Sequence, residues 1–298
     1  MIARVAYVGS KGTHESYNID ANQMTWAQCQ PSAEWANNGS CFANQNFSQI
    51  TEDYSGGNSI YHSIQTEFDK RFASGFSLNA NYTWSKFNDW VSYQSDTDSI
   101  NVIDPFAPGA YAGTSDLEIK DRLTLRGVWE IPGPKQGMAH LALADWQVSG
   151  LSNWQSGTPF TVFDGGDASF TGISNELADL NPAVPLSYTS GSLKQRIGAN
   201  NTWFNINAFQ DNALGTFGNT RRNMLFGPRS FGLDMAVQKH FSFEERWKVE
   251  FRADFFNALN HANFSVPDST FADGAGLFGT ITTAGSPRDI QLALKLNF

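Results

Sequence analysis

The feature that most restricts the fold is a strict alternation of apolar and polar residues that returns along the chain. Trp247, Val249, Phe251, Ala253 and Phe255 alternate with Arg246, Lys248, Glu250, Arg252 and Asp254. Successive side chains of a strand point to opposite faces, so this segment reads as a strand with one apolar and one ionic face. The same period sets Ile64, Phe68 and Phe72 against Ser63, Gln65, Glu67, Asp69 and Arg71. It sets Phe76, Leu78, Ala80, Tyr82 and Trp84 against Ser77, Asn79, Asn81, Thr83 and Ser85. It recurs through Leu123, Leu125, Gly127 and Trp129, and through Trp146, Val148, Gly150, Ser152 and Trp154. It recurs again from Phe231 to Phe241, and closes the chain with Ile290, Leu292, Leu294, Leu296 and Phe298. Counting these with Ile2–Val8 gives about eight strands.

The segments reach about ten residues, the length of a membrane-crossing strand, where soluble strands average about five to six. The connections also alternate. Those after Phe72, Ile131 and Phe241 are short, and those after Val8, Lys86, Gln155 and Phe256 are long. Short turns on one side and long loops on the other belong to an up-and-down antiparallel transmembrane β-barrel, an all-β fold with short periplasmic turns and long extracellular loops. A Greek-key sandwich has no need of that parity. In a barrel the apolar faces meet lipid, and Tyr82, Trp84, Trp129, Trp146, Trp154 and Trp247 are expected at its interfacial aromatic girdle. A sandwich that buries the same faces against a second sheet is the soluble alternative.

The expected boundaries follow. A short strand Ile2–Val8 precedes a polar, irregular stretch from Thr13 to Asn58. A hairpin of 60–72 and 76–86 turns at Ala73-Ser74-Gly75. Phe87–Ser115 is a polar segment, Leu117–Ile131 and Leu143–Gln155 are strands about the turn cluster 132–137, and Phe160–Phe163 extends the second. Asp164–Pro228 is irregular, Ser242–Glu245 is a turn, and Asn257–Leu277 is a loop.

Composition narrows the function classes. A formal net charge of -9 argues against a general nucleic-acid binder. No run of 18 apolar residues is present, so no transmembrane helix is expected. A mean hydropathy of -0.35 is compatible with strands that are only half apolar. The residues after Met1 already alternate like a strand and lack the pattern of a secretory leader, which reads as a fragment of a longer chain. Two cysteines, Cys29 and Cys41, share one polar stretch. Either they are bridged, on the oxidising side of a membrane, or they are free loop thiols.

Catalytic chemistry is missing. His14, His62, His140, His240 and His261 are scattered without metal-ligand spacing. Residues 274–279 spell GxGxxG without the strand, helix and later acid of a dinucleotide site, and read as a loop. Asp164 and Asp167, or Asp96, Asp98 and Asp104, read as solvated loop acids rather than cation ligands. No catalytic residue, cofactor or metal is expected.

Several segments carry a family resemblance: 6–12 (AYVGSKG), 61–86 (YHSIQTEFDKRFASGFSLNANYTWSK), 146–162 (WQVSGLSNWQSGTPFTV), 217–241 (FGNTRRNMLFGPRSFGLDMAVQKHF), 251–264 (FRADFFNALNHANF) and 278–298 (FGTITTAGSPRDIQLALKLNF). As an ordered set they resemble the C-terminal barrel region of TonB-dependent outer-membrane receptors, in the Oar-like branch that carries a carboxypeptidase-regulatory-like domain. The resemblance implies that residues 1–298 are part of a 22-stranded barrel closed elsewhere by a plug. It implies binding of a scarce small solute by the outer loops and import energised by the TonB complex through that plug, which this sequence does not contain. It also implies that Ile290, Leu292, Leu294, Leu296 and Phe298 form the signal read by the barrel-assembly machinery. The expected surroundings are outer-membrane lipid. A small autonomous barrel acting as an adhesin or structural protein, and a secreted carbohydrate-binding sandwich, are the alternative functions.

Overall fold

The computed structural model describes residues 1–29, 41–92, 102, 104–173, 176–198, 201–243 and 247–297, the side chains at 242, 243 and 247 apart. Eight long strands dominate it. They are β1 (Ile2–Asp20), β2 (Thr51–Ala73), β3 (Phe76–Asp89), β4 (Asp121–Ile131), β5 (Trp146–Gln155), β6 (Ser230–Phe243), β7 (Trp247–Phe256) and β8 (Asp289–Asn297). Each pairs antiparallel with the next, with no crossover, and the two-residue strand Gly113–Thr114 joins the outer end of β3 to complete a nine-stranded sheet.

Register explains the two faces. Directly opposed residues of an antiparallel pair share a face. Phe68, Ala80, Leu125 and Ser152 are successive partners across β2 to β5. Leu233 continues that row on β6. Val237, Ala253 and Leu292 are opposed in the same way across β6 to β8. The apolar sides therefore merge into one surface from Val5 to Leu296. No second sheet covers it: Val5 is 75% exposed and Leu294 74% exposed, and the other sheets among the described residues have two strands each. The sandwich expectation fails on this point. An apolar face this wide and bare is a lipid face.

The strand boundaries depart from the sequence reading mainly at the outer ends. β1 runs to Asp20 and β2 begins at Thr51, so much of the stretch expected to be irregular is paired strand. Above the membrane this ribbon has no lipid face, so the apolar–polar alternation that marks a spanning strand disappears. A register shift lies between Thr13 and Ser16, where His14 adopts φ 59°. Such a bulge bends the strand, and Tyr17, Asn18, Ile19 and Asp20 beyond it are buried. β4 starts at Asp121 rather than Leu117, and β5 at Trp146 rather than Leu143. The connection between them is not a tight turn: it contains a short helix, Met138–Leu143. Phe160 does not extend β5. Pro159–Phe160 instead pairs with Leu225–Phe226.

The described residues of 156–229, together with 257–288, form a cap. Asp179–Leu180 pairs with Phe209–Gln210. Its core gathers Phe160, Val162, Trp203, Phe204, Phe209, Leu225, Phe278 and Ile281. Phe278 packs edge-on against Phe204, Phe209 and Phe271 at centroid distances of 5.2, 5.8 and 5.4 Å, the geometry that aromatic quadrupoles favour. A second cluster joins Tyr17, Ile19, Val102, Tyr111 and Leu177. The bent end of the β1–β2 ribbon is thus built into the cap.

Candidate functional site: the polar wall and its cap

The face opposite the apolar one carries the polar side chains. Arg4 on β1 pairs with Glu67 on β2 at 3.0 Å. Asn79 on β3 donates to Glu67 (3.4 Å) and accepts from Arg126 Nε on β4 (3.1 Å). Thr124 donates to Asn153 at 3.0 Å, and Arg122 to Gln155 at 3.3 Å. Arg252 and Asp254 pair along β7 at 2.8 Å. All but the last cross from strand to strand, as expected where every second residue of each strand is polar. A shallow concavity of about 500 Å³ opens on this wall, lined by Asp69, Arg126, Asp234, Arg252 and Asp254 among others. It can hold water or a polar surface.

Over the outer end of the wall, the cap is stapled to β3 by Arg222. Its guanidinium donates to the carboxylate and carbonyl of Asp89, to Ser92 Oγ (2.7 Å) and to the Tyr111 carbonyl (3.3 Å). Asn223 beside it donates to the Thr114 carbonyl at 2.8 Å. Within the cap, Glu176 is buried. It accepts from the amides of Ala168 (3.1 Å) and Ser169 (3.0 Å), from Ser169 Oγ, and from Asn212 Nδ2 (3.4 Å). Burial pushes its carboxyl up to about 7 even though the Ser169 and Asn212 bonds act in the opposite sense. Glu118, below the cap, is also raised by burial, against a hydrogen bond from the Phe87 amide and the charges of Lys86 and Lys120.

The residues singled out in the sequence fall as follows. Tyr82, Leu123, Trp154 and Phe231 lie in one lateral row toward the outer end of the apolar face, with Trp84 one pair beyond. Trp129 lies in a second row near the other end, opposite Phe76 and Val148, and Trp146 lies opposite Ile131 and Lys239. The rows are about 20 Å apart along a strand, taking Phe76 to Tyr82 at about 3.3 Å per residue. The Trp247 side chain and Phe298 lie outside the described residues. Ile290, Leu292, Leu294 and Leu296 are exposed on the apolar side of β8. Cys29 and Cys41 are joined as a disulfide with Cα atoms 5.4 Å apart. Beside it, the Cys41 amide donates to the Phe170 carbonyl (2.7 Å), and Trp26 stacks on Phe170 at 5.1 Å.

The loop acids accept from backbone amides, and Asp164, expected in solvent, is buried. Asp167 accepts from the Thr171 and Gly172 amides at 2.8 Å each. Asp164 accepts from Gly166 and Asn212, and Asp104 from Phe106 and Ala107. Asp96 and Asp98 lie outside the described residues. Residues 274–279 follow a single 3-10 turn, Phe271–Asp273, and form a loop. Arg222, Glu176 and Lys239 escaped the sequence reading. Lys239 left a signal, as a lone cation in the apolar register of β6. Its Nζ donates to the Ala144 carbonyl and lies 4.9 Å from the Phe241 ring centroid. Arg222 left none, because its partners are more than a hundred positions away in the chain, and Glu176 left none, because its loop shows no periodic pattern.

Residues 1–291 match a family described as an outer membrane beta barrel domain. The chain belongs to that family. The outer membrane β-barrel domain thus has an all-β antiparallel fold and resides in the bacterial outer membrane. Among curated proteins none matches its sequence. Solved structures similar to the domain include FpvA of Pseudomonas aeruginosa bound to a heterologous pyoverdine (11% identity, TM-score 0.45) and BauA, the ferric preacinetobactin receptor of Acinetobacter baumannii (15%, 0.44). The outer membrane transporter YddB of Escherichia coli is another (11%, 0.48). Each match covers 99% of this chain, which spans only 24%, 27% and 30% of those three chains in turn.

Proposed function

We propose that this domain is the C-terminal barrel portion of a TonB-dependent transporter of the Oar-like branch. It takes up a scarce solute that its outer loops recognise, a role in keeping with the ferric-siderophore receptors among its structural neighbours. The observation that carries the reading is the open sheet. Among the described residues β1 pairs only with β2 and β8 only with β7. A closed barrel of about eight strands would have joined those edges and filled its interior with side chains. A wall of a wider pore leaves its polar face open, as the Arg4–Glu67–Asn79–Arg126 network is here.

On this reading the polar wall faces the pore and its plug, which comes from elsewhere in the protein and carries the contact with TonB. The aromatic rows serve as the two girdles, and Ile290 to Phe298 serves as the barrel-assembly signal. The Cys29–Cys41 bridge then belongs on the oxidising side of the membrane.

The test is made on outer membranes. Immunoblotting for this domain is expected to give a band well above 32.9 kDa, with a plug encoded upstream. Native purification is expected to carry a small solute whose uptake stops when TonB is deleted. A heat-modifiable monomer of 32.9 kDa would instead favour the autonomous barrel.

A further inference from the structure

A second recess, of about 840 Å³, lies at the outer rim on the apolar side of the sheet. Its floor is Trp154 and Phe231, members of the outer aromatic row. Its wall is cap, with Tyr188, Arg196 and Trp203. The wall is fixed, because Trp203 Nε1 donates to the Phe226 carbonyl and the Phe226 amide donates to Tyr188 Oη, both at 2.8 Å. Two guanidinium groups are held over aromatic rings here. Arg196 Cζ lies 3.7 Å from the Trp203 ring centroid, and Arg229 Cζ 5.4 Å from that of Trp154. Neither arginine forms an ion pair among the described residues, and the buried Arg196 Nε has no hydrogen-bond partner among them. Asp121 is the one acidic residue in the lining, and its Oδ1 is already engaged by the Tyr82 hydroxyl at 2.6 Å.

A soluble solute bound for the pore meets the opposite, polar face. What reaches this recess is the outer leaflet. The apolar floor suits an acyl chain, and the guanidinium forks suit an anion held at the level of the headgroups. A partly buried, unsatisfied guanidinium nitrogen is costly, and a bound anion relieves that cost. We propose that this recess binds a phosphate-bearing lipid of the outer leaflet, with Arg196 and Arg229 on the phosphate and Trp154 and Phe231 along the acyl chain.

The test uses the protein that carries this domain, extracted from outer membranes into detergent micelles, with native mass spectrometry to count bound lipid. Bisphosphorylated lipid A is expected to bind, and its dephosphorylated form to bind weakly. Arg196→Gln and Arg229→Gln should each lose about tenfold or more in affinity, the fold-change of one charge-assisted hydrogen bond. Heat modifiability on gels verifies that the variants are folded. In the unaltered chain, acyl-brominated lipid A should quench tryptophan fluorescence, and adding excess inorganic pyrophosphate should leave that quenching in place. Equal binding of the phosphorylated and dephosphorylated lipids would overturn the proposal. So would unchanged binding by the folded variants, or full displacement by pyrophosphate.

Discussion

Arg222 and Asp89 meet across 133 positions of sequence, and both side chains are shielded from water, at 12% and 3% exposure. Arg222 lies in the cap and Asp89 ends β3, so this pair fastens the outer layer to the membrane wall. Removing one partner of a buried pair strands the other charge. Arg222→Ala is expected to loosen the cap by about 3–5 kcal/mol while leaving the strands paired. Hydrogen exchange checks this: amides of 209–226 should lose protection, and those of β6 and β7 should not. Loss of protection throughout would show that the pair holds the sheet as well.

Glu176 makes the cap sensitive to pH. Its carboxyl sits at about 7 in the folded state, against an ordinary value of 4.5. The folded cap therefore holds a proton that the unfolded chain has released, and stability falls as pH rises through that window. The contribution is complete below pH ~4.5 and lost above pH ~7. Glu176→Gln is expected to flatten the profile and strengthen the cap at pH 8. Limited proteolysis of the cap from pH 4 to pH 8 measures both.

Leu294 and Ala293 are neighbours on β8 that point to opposite sides, with Leu294 on the apolar surface opposite Phe251 and Ala293 opposite Arg252. Leu294→Arg should cost about 2–4 kcal/mol if that position lies near the bilayer midplane. Ala293→Arg should cost far less. Denaturant titration of the two variants in lipid vesicles separates them. Equal losses would mean that the apolar side does not face hydrocarbon.

The disulfide spans 12 positions of sequence. Reducing it, or replacing both cysteines by Ser, is expected to loosen the surrounding loop by about 3 kcal/mol on a chain-entropy basis. Faster protease cleavage between β1 and β2, with heat modifiability unchanged, is the expected result. The Cys41 amide bond to Phe170 places part of that loss in the cap.

The spanning segments were legible because lipid on one side and a polar interior on the other impose a period of two on every residue. The pattern through Phe231, Leu233, Met235 and Val237 could be read without partners. Where one of those two environments ends, the pattern ends too. Ser55, Gly56, Gly57 and Asn58 belong to β2 but carry no alternation, because that stretch pairs above the bilayer. The cap was illegible for a different reason. Phe160, Trp203, Phe209 and Phe278 form one core from single apolar residues spread over more than a hundred positions. Arg196 and Arg229 became a pair of interest only when the fold laid one on Trp203 and the other on Trp154.

The length of the first hairpin has a mechanical consequence. β2 has 23 residues, and at about 3.3 Å each it is roughly 75 Å long, against a hydrocarbon layer of about 25–30 Å. Its upper part is therefore a pillar, continuous with the embedded wall and mortised at the top into the roof through Tyr17 and Ile19 of its partner β1. A push on the roof from outside is carried down a main-chain ladder interrupted by the bulge between Thr13 and Ser16, so the roof and the embedded sheet move as coupled parts.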